Sequence, residues 1–191
     1  MATVREGNQA VLMVIDMQVG VMQGCWDAAR VARNVAGLVE RARASGVPVV
    51  WVQHQSLDLA EGSEAWAWVP ELVPAAGELQ IQKHHNSAFE ATSLVAELSR
   101  LGATHIVLAG AATNWCIRAT AYGALERGYD LTLVEDGHTT GPIELDDGRR
   151  IEAELIIQEL NVVLAWLTYP GRASAVAAAS TIDFARPGGG T

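Results

Sequence analysis

The sequence has few cysteines, no long apolar run and no cluster of basic residues, and each absence excludes a class of protein. Only Cys25 and Cys116 occur among 191 residues, so a disulfide framework is not indicated and a reducing compartment is expected. No apolar run approaches the ~20 residues that a membrane helix needs, and the N-terminus shows no basic, apolar and cleavage segments in succession. We therefore expect a cytoplasmic protein that does not interact with a membrane.

The charge and the composition of the chain indicate which kinds of binding partner it can have. The formal net charge is −9, and the 13 lysines and arginines are scattered along the chain, which argues against nucleic acid as a partner. An acidic protein can instead attract a cationic small molecule. Half of the residues are hydrophobic and 18% are charged, which is typical of a globular domain. The length predicts one domain over residues 1–191, with tails at 1–9 and 186–191.

Apolar runs alternate with segments of helical periodicity, and this alternation indicates the fold class. It predicts an α/β fold with three layers, α/β/α, around a mostly parallel six-stranded sheet of Rossmann-like topology, with the site at the carboxyl ends of the strands. No G-x-G-x-x-G motif follows the first strand, so a dinucleotide is not expected, and we predict no cofactor. The predicted strands cover 11–15, 47–52, 79–83, 106–108, 131–134 and part of 173–184, and the predicted helices cover 27–44, 92–100, 115–127 and 153–167.

The segment 106–129 combines a buried strand, a turn and a helix. Thr113 or Asn114 can cap the helix, which places Cys116 in its first turn. A helix N-terminus favours the thiolate over the thiol, whose ordinary pKa is ~8.5, and its N–H groups can hold an oxyanion. A free cysteine is also often a small buried hydrophobe. Position alone leaves both interpretations open.

The sequence GAATNWCIRATAYGALERGYDLTLVED, which contains Cys116, resembles the nucleophile segment of the isochorismatase-like cysteine hydrolases. Two further motifs occur in the order that the family has: VLMVIDMQ with Asp16 and QKHHNSAF with Lys83. Without the resemblance, Asp16 reads as a turn or capping residue and Lys83 as a surface charge. The similarity extends over roughly residues 10 to 185.

The resemblance implies roles for these positions. Cys116 would be the nucleophile, Asp16 the general base, and Lys83 the cation that stabilises the developing charge. The backbone N–H groups of Ala112 and Cys116 would form the oxyanion hole. The family also has a cis peptide bond that would here join Ala111 to Ala112.

The resemblance implies a hydrolase that acts on a carbon–nitrogen bond of a small-molecule amide or lactam through a thioester. Nicotinamidase-, ureidoacrylate- and N-carbamoylsarcosine-type amidases remain alternatives, as do hydrolysis of a vinyl ether, which needs no cysteine, and a non-catalytic binding protein. The patterns at 136–140, 160–161 and 169–171 resemble streptothricin hydrolases, which open the lactam of a cationic antibiotic and so give resistance. Family members are usually homodimers or larger assemblies such as homotetramers.

The nicotinamidases of this family bind a metal through an Asp-x-His pair after the second strand. The corresponding segment here is Gln53-His54-Gln55-Ser56, so we expect no required metal, although binding near His54 is left open. The irregular stretch 54–79 is either a lid or an oligomer interface. The acidic run 144–147 is either a solvated loop or a surface that meets a cationic substrate. Residues that could line the substrate pocket are Gln18, Trp26, His54, Trp66, Trp115 and His138.

Overall fold

Six parallel strands form the central sheet of the computed structural model, which describes residues 7–184. The strands of the chain are β1 (Gln9–Ile15), β2 (Val49–His54), β3 (Leu79–Lys83), β4 (Ala103–Ala111), β5 (Asp130–Thr139), β6 (Ile143–Glu144), β7 (Arg150–Ile151) and β8 (Ser174–Ala177). The sheet has the order β3-β2-β1-β4-β5-β8, while β6 and β7 form a separate antiparallel hairpin. The predicted six-stranded sheet is confirmed, and all its neighbours are parallel.

Helices cover both faces of this sheet because its central strands are apolar on both sides. The helices are α1 (Val19–Met22), α2 (Ala28–Ala44), α3 (Leu94–Arg100), α4 (Arg118–Glu126) and α5 (Ala153–Trp166). In β1, Val11 and Ile15 belong to the core that α3, α4 and α5 cover, while Leu12 and Val14 belong to the core under α2. This alternation gives the predicted three layers.

Several boundaries differ from the sequence prediction. β1 begins at Gln9, inside the predicted tail 1–9, because Gln9 pairs with Ala103 of β4. β2 lies two residues later than predicted, and α3 starts at Leu94. Residues 1–6 and 185–191, which include most of both predicted tails, lie outside the described residues.

The largest difference is in β5, which continues through Thr139 where a loop was predicted from residue 136. Its register with β4 shifts between Leu108 and Gly110, after which His138 pairs with Gly110 and Thr139 with Ala111. The residues after the irregularity do not continue the apolar run of the first half of β5. The sequence analysis therefore did not predict this second half.

Residues 55–78 contain no helix or strand, as predicted, but they are held against the start of the chain. Val19 and Gly20 donate backbone hydrogen bonds to Ala67 and Ala65, and Val69 donates to Met17. Among residues 7–184, no helix combines the length and apolar character that crossing a bilayer requires.

Gly110 of β4 lies close against the backbone of Ile15 in β1. Its φ is +130°, and a Cβ there would lie 2.0 Å from the Ile15 carbonyl oxygen. We expect Gly110→Ala to lower the free energy of unfolding by roughly 2–6 kcal/mol, the sum of overpacking and backbone strain, as measured by urea denaturation. Gly24→Ala is the matched control because Gly24 also has positive φ, +78°, with no atom near the added Cβ. Equal losses in the two variants would contradict the steric argument.

Candidate active site

Three elements deliver a carboxylate, an ammonium and a thiol to one point at the carboxyl edge of the sheet. Asp16 follows β1, Lys83 ends β3, and Cys116 lies in a π-helical turn, Thr113–Ile117, that follows β4. Lys83 Nζ lies 2.6 Å from Asp16 Oδ2 and 3.2 Å from Cys116 Sγ. The exposed fractions of the three residues are 1% for Asp16, 0% for Lys83 and 8% for Cys116. The structure therefore brings the three predicted side chains into contact.

Lys83 is the centre of this cluster. Besides Asp16 and Cys116, its ammonium contacts His54 Nδ1 at 3.0 Å and the His85 carbonyl oxygen at 3.2 Å. A fully buried ammonium is tolerated only with such partners. Lys83 is also the only lysine in the chain, since the other basic residues are arginines. That count was a signal in the sequence that Lys83 is not an ordinary surface charge.

The surroundings of Cys116 favour the thiol, whereas the helix start considered alone favours the thiolate. Burial and then the negative charge of Asp16 raise the pKa of Cys116 to about 12, against the opposing effect of Lys83. The expectation considered the helix start alone, and that start is one π-helical turn without a side-chain cap. Burial also raises the pKa of Asp16 from its ordinary value, although Lys83 opposes this shift. Asp16 is thus suited to accept the thiol proton.

The turn that carries Cys116 is held by hydrogen bonds from β5 instead of by a cap. Thr113 Oγ1 donates to His138 Nδ1 at 2.9 Å, and His138 Nε2 donates to Asn161 Oδ1 at 2.9 Å. Burial lowers the pKa of His138 to about 4, so its imidazole is neutral. Thr140 Oγ1 donates to Asn114 Oδ1 at 2.7 Å. The predicted capping by Thr113 or Asn114 is wrong, because both side chains bond to the neighbouring strand or its end.

His138 and Gln18 were predicted to line the pocket, but both are buried. His138 is 1% exposed within the network just described. Gln18 Oε1 accepts from the His54 backbone N–H at 2.8 Å, and its Nε2 donates to the carbonyl oxygens of His54 and Trp66. These residues position the end of β2 and the nucleophile turn. Their polar atoms are hydrogen-bonded, as buried polar atoms in proteins generally are.

The predicted tryptophans occupy different surroundings. Trp26 lines a cavity of about 300 Å³ together with Pro142 and Arg150, and this cavity includes none of the three clustered residues. Trp66 is half-buried, and its carbonyl oxygen accepts from Gln18 and Gln53. Trp115, adjacent to Cys116, is 56% exposed. The predicted substrate contacts of all three tryptophans stay predictions.

Ala111 and Ala112 are joined by a cis peptide bond, as the resemblance implied. Ala112 occupies the position before the π-helical turn, and its carbonyl oxygen accepts from the N–H groups of Trp115 and Ile117. The oxyanion-hole role of the Ala112 and Cys116 backbone stays a prediction.

One group of potential metal ligands occurs among residues 7–184, and it coincides with the cluster. The donor atoms of Asp16, His54 and Cys116 all lie within 4.8 Å of one another. The Lys83 ammonium, however, already contacts all three. A divalent cation would have to displace a buried positive charge, so these residues do not fit a metal centre.

A parallel sheet that assembles a buried thiol, carboxylate and ammonium at its carboxyl edge is the arrangement of an α/β cysteine hydrolase. The comparison with known families gives the particular class. The chain belongs to the isochorismatase family of hydrolases, because the isochorismatase domain matches residues 10–154.

Two relatives and one solved structure illustrate the similarity. The chain is 31% identical over 136 residues to the secreted isochorismatase effector of Verticillium dahliae, covering 68% of this chain and 72% of the effector. It is 32% identical over 136 residues to streptothricin hydrolase of Streptomyces noursei, covering 68% of this chain and about half, 49%, of that enzyme. An isochorismatase from Pseudomonas putida KT2440 superimposes with a TM-score of 0.83 at 27% identity, covering 96% of this chain and 94% of the other.

Proposed function

We propose that this hydrolase cleaves the carbon–nitrogen bond of a small-molecule amide or lactam, with Cys116 as the nucleophile. The observation that supports this most is the contact set of one buried ammonium with a thiol at 3.2 Å and a carboxylate at 2.6 Å. A thiol with a proton acceptor and a cation beside it is equipped for acyl transfer. Vinyl ether hydrolysis needs no thiol, and a binding protein needs none of the three groups.

In the proposed reaction, Asp16 takes the proton of Cys116 while Sγ attacks the carbonyl carbon. Lys83 stabilises the negative charge that develops, and the backbone N–H groups of Ala112 and Cys116 hold the oxyanion. Asp16 then gives its proton to the leaving nitrogen as the carbon–nitrogen bond breaks, which leaves a thioester. Water then attacks the thioester while Asp16 takes its proton, the carbon–sulfur bond breaks to release the acid, and Asp16 returns the proton to the Cys116 thiolate.

Among substrates, we propose a cationic lactam of the streptothricin type. The net charge of −9 and the similarity to a streptothricin hydrolase support this. Arg118, which lines an apolar groove beside Asn114, is paired with Glu159 and so offers little charge to an anionic substrate.

The acidic run 144–147 supports this substrate less than the sequence suggested. Asp147 pairs with Arg149, and Glu144 pairs with Arg150 across the β6–β7 hairpin. The hairpin therefore carries less net negative charge than the acidic run by itself, and the charge argument rests on the chain as a whole.

We also propose that the chain forms a homodimer or homotetramer, and that it is cytoplasmic. Large apolar side chains are exposed on α5, where Leu155, Val162 and Trp166 follow one another at helical spacing. Such a stripe favours association with another apolar surface. The stretch 54–79 is either a lid or an oligomer interface.

The proposed reaction is tested by mass spectrometry on intact protein and on products. The protein and its Cys116→Ala variant are incubated with streptothricin, nicotinamide, maleamate and ureido acids. We expect streptothricin to gain one water only with the intact thiol, and an acyl adduct to appear on Cys116.

Cys25→Ala is the matched control, because Cys25 is half-buried, donates to the Val21 carbonyl oxygen and is not one of the clustered residues. It should retain full activity. Turnover by the Cys116→Ala variant would contradict the proposed covalent reaction. Turnover of an anionic amide instead of streptothricin would keep the scheme and overturn the substrate class.

A further inference from the structure

The ammonium of Lys83 has more acceptors than N–H bonds. His54 Nδ1 at 3.0 Å, Cys116 Sγ at 3.2 Å and the His85 carbonyl oxygen at 3.2 Å lie in hydrogen-bond geometry to it, and Asp16 Oδ2 lies 2.6 Å away as its ion-pair partner. An ammonium has three N–H bonds in a fixed tetrahedral arrangement. The rotation of this group about its carbon–nitrogen bond therefore decides whether an N–H points at the thiol.

We propose that His54 is a positioning residue, which accepts one N–H of Lys83 at Nδ1 and so holds the ammonium with a second N–H towards Cys116 and its charge against Asp16. This inference rests on the proposed function, since it concerns the cation of that reaction. It gives His54 a role in place of the predicted contact with substrate.

The backbone around His54 is built to hold the ring in place. His54 and Lys83 are direct neighbours in the register between β2 and β3. The Gln18 side chain makes two hydrogen bonds to the backbone of His54. It accepts from the His54 N–H at 2.8 Å and donates to the His54 carbonyl oxygen at 3.0 Å. The ring thus meets the ammonium from a fixed strand end, whereas His85 offers only the carbonyl of a loop residue.

The chemistry of the contact fixes the state of the ring. Since Lys83 can only donate, Nδ1 must carry the lone pair, and the proton of the neutral imidazole is then on Nε2. Burial, followed by the charge of Lys83, lowers the pKa of His54 to about 4. The imidazole therefore remains a neutral acceptor over the pH range in which such an enzyme works.

Three substitutions separate this role from a contact with substrate. His54→Asn keeps an acceptor near the place of Nδ1, because Asn Oδ1 is the same number of bonds from the backbone. His54→Gln puts its amide nearer to the place of Nε2, and His54→Leu removes both. We expect kcat to fall about 10- to 100-fold in the Leu and Gln variants, to recover to within a few-fold in the Asn variant, and KM to stay unchanged.

A second measurement, which needs no substrate, follows the NMR signal of the Lys83 ammonium. Because Lys83 is the only lysine, lysine labelled with ¹⁵N at Nζ gives a single side-chain NMR signal. We expect a protected ammonium signal in the unmodified protein and in His54→Asn, and an exchange-broadened one in His54→Gln and His54→Leu. Failure to find any amide that turns over would count against the proposed function but leave this test intact.

Several results would overturn the inference. Unchanged kcat and an unchanged Lys83 signal in His54→Leu would show that the ring does not position the ammonium. Better activity in His54→Gln than in His54→Asn, or a rise in KM at constant kcat, would assign His54 to substrate binding. Should the Leu variant fail to fold in a thermal melt, the Asn and Gln pair still decides the question.

Discussion

Asp16→Asn should abolish turnover and, at the same time, make Cys116 react faster with iodoacetamide at neutral pH. The negative charge of Asp16 is the second cause, after burial, of the high pKa of Cys116, about 12. Asn removes that charge and leaves Lys83, 3.2 Å from Sγ, to favour the thiolate. Turnover falls by about 10³-fold or more because no group remains to take the thiol proton and return it to the leaving nitrogen.

The measurement is the alkylation rate as a function of pH, made in a Cys25→Ala background so that only Cys116 reacts. Iodoacetamide is uncharged, so the change at Asp16 does not alter its attraction to the site. Without the substitution, the rate should still be rising at pH 10, because the thiolate fraction grows up to the pKa. With Asp16→Asn, the midpoint should move to lower pH. Slower alkylation in the variant would contradict the assignment of Asp16 as the cause of the high pKa.

Lys83→Met should also remove activity, by about 10³-fold, and it should destabilise the fold by about 3–5 kcal/mol. Its loss leaves the Asp16 carboxylate, 1% exposed, without its cation, and an unpaired buried charge costs that amount. Met is apolar and of similar length, so the packing volume is largely retained.

The cost of Lys83→Met should shrink as the pH is lowered. Lys83 holds down a pKa of Asp16 that burial raises, so its removal raises that pKa further. A carboxyl group with a raised folded-state pKa contributes stability below its unfolded pKa, and this contribution is lost as the pH rises through the folded value. The gap between the variant and the unmodified protein is therefore expected to be widest near pH 8 and narrower near pH 5.

Urea denaturation at several pH values measures this gap. The double variant Asp16→Asn/Lys83→Met is the control, because it removes both charges. It should be inactive but more stable than Lys83→Met alone, and its stability should depend less on pH. A destabilisation by Lys83→Met that is the same at every pH would show that lost packing, not the charge of Asp16, is responsible.

The helix and strand predictions succeeded where a single segment carries the whole signal. The five residues Leu79–Lys83 alternate in polarity, and the structure has β3 over the same residues. The long helix α2 ends at Ala44, where Gly46 follows with a positive φ of +68°. In β5, by contrast, the second half is a strand because it pairs with Gly110 and Ala111 of β4. No local sequence pattern predicts such pairing.

The sequence by itself determined the fold class and the identity of the three clustered side chains. Apolar runs and helical periodicity are local properties, and the motifs around Asp16, Lys83 and Cys116 are each contiguous. Only the tertiary structure decided that the pKa of Cys116 is raised, because the causes are burial and then a carboxylate that lies one hundred residues earlier in the chain. It likewise decided the neutral state of His54, which depends on burial and on a lysine from the neighbouring strand. Burial and charge proximity are properties of atoms brought together from separate strands, so no single stretch of sequence contains them.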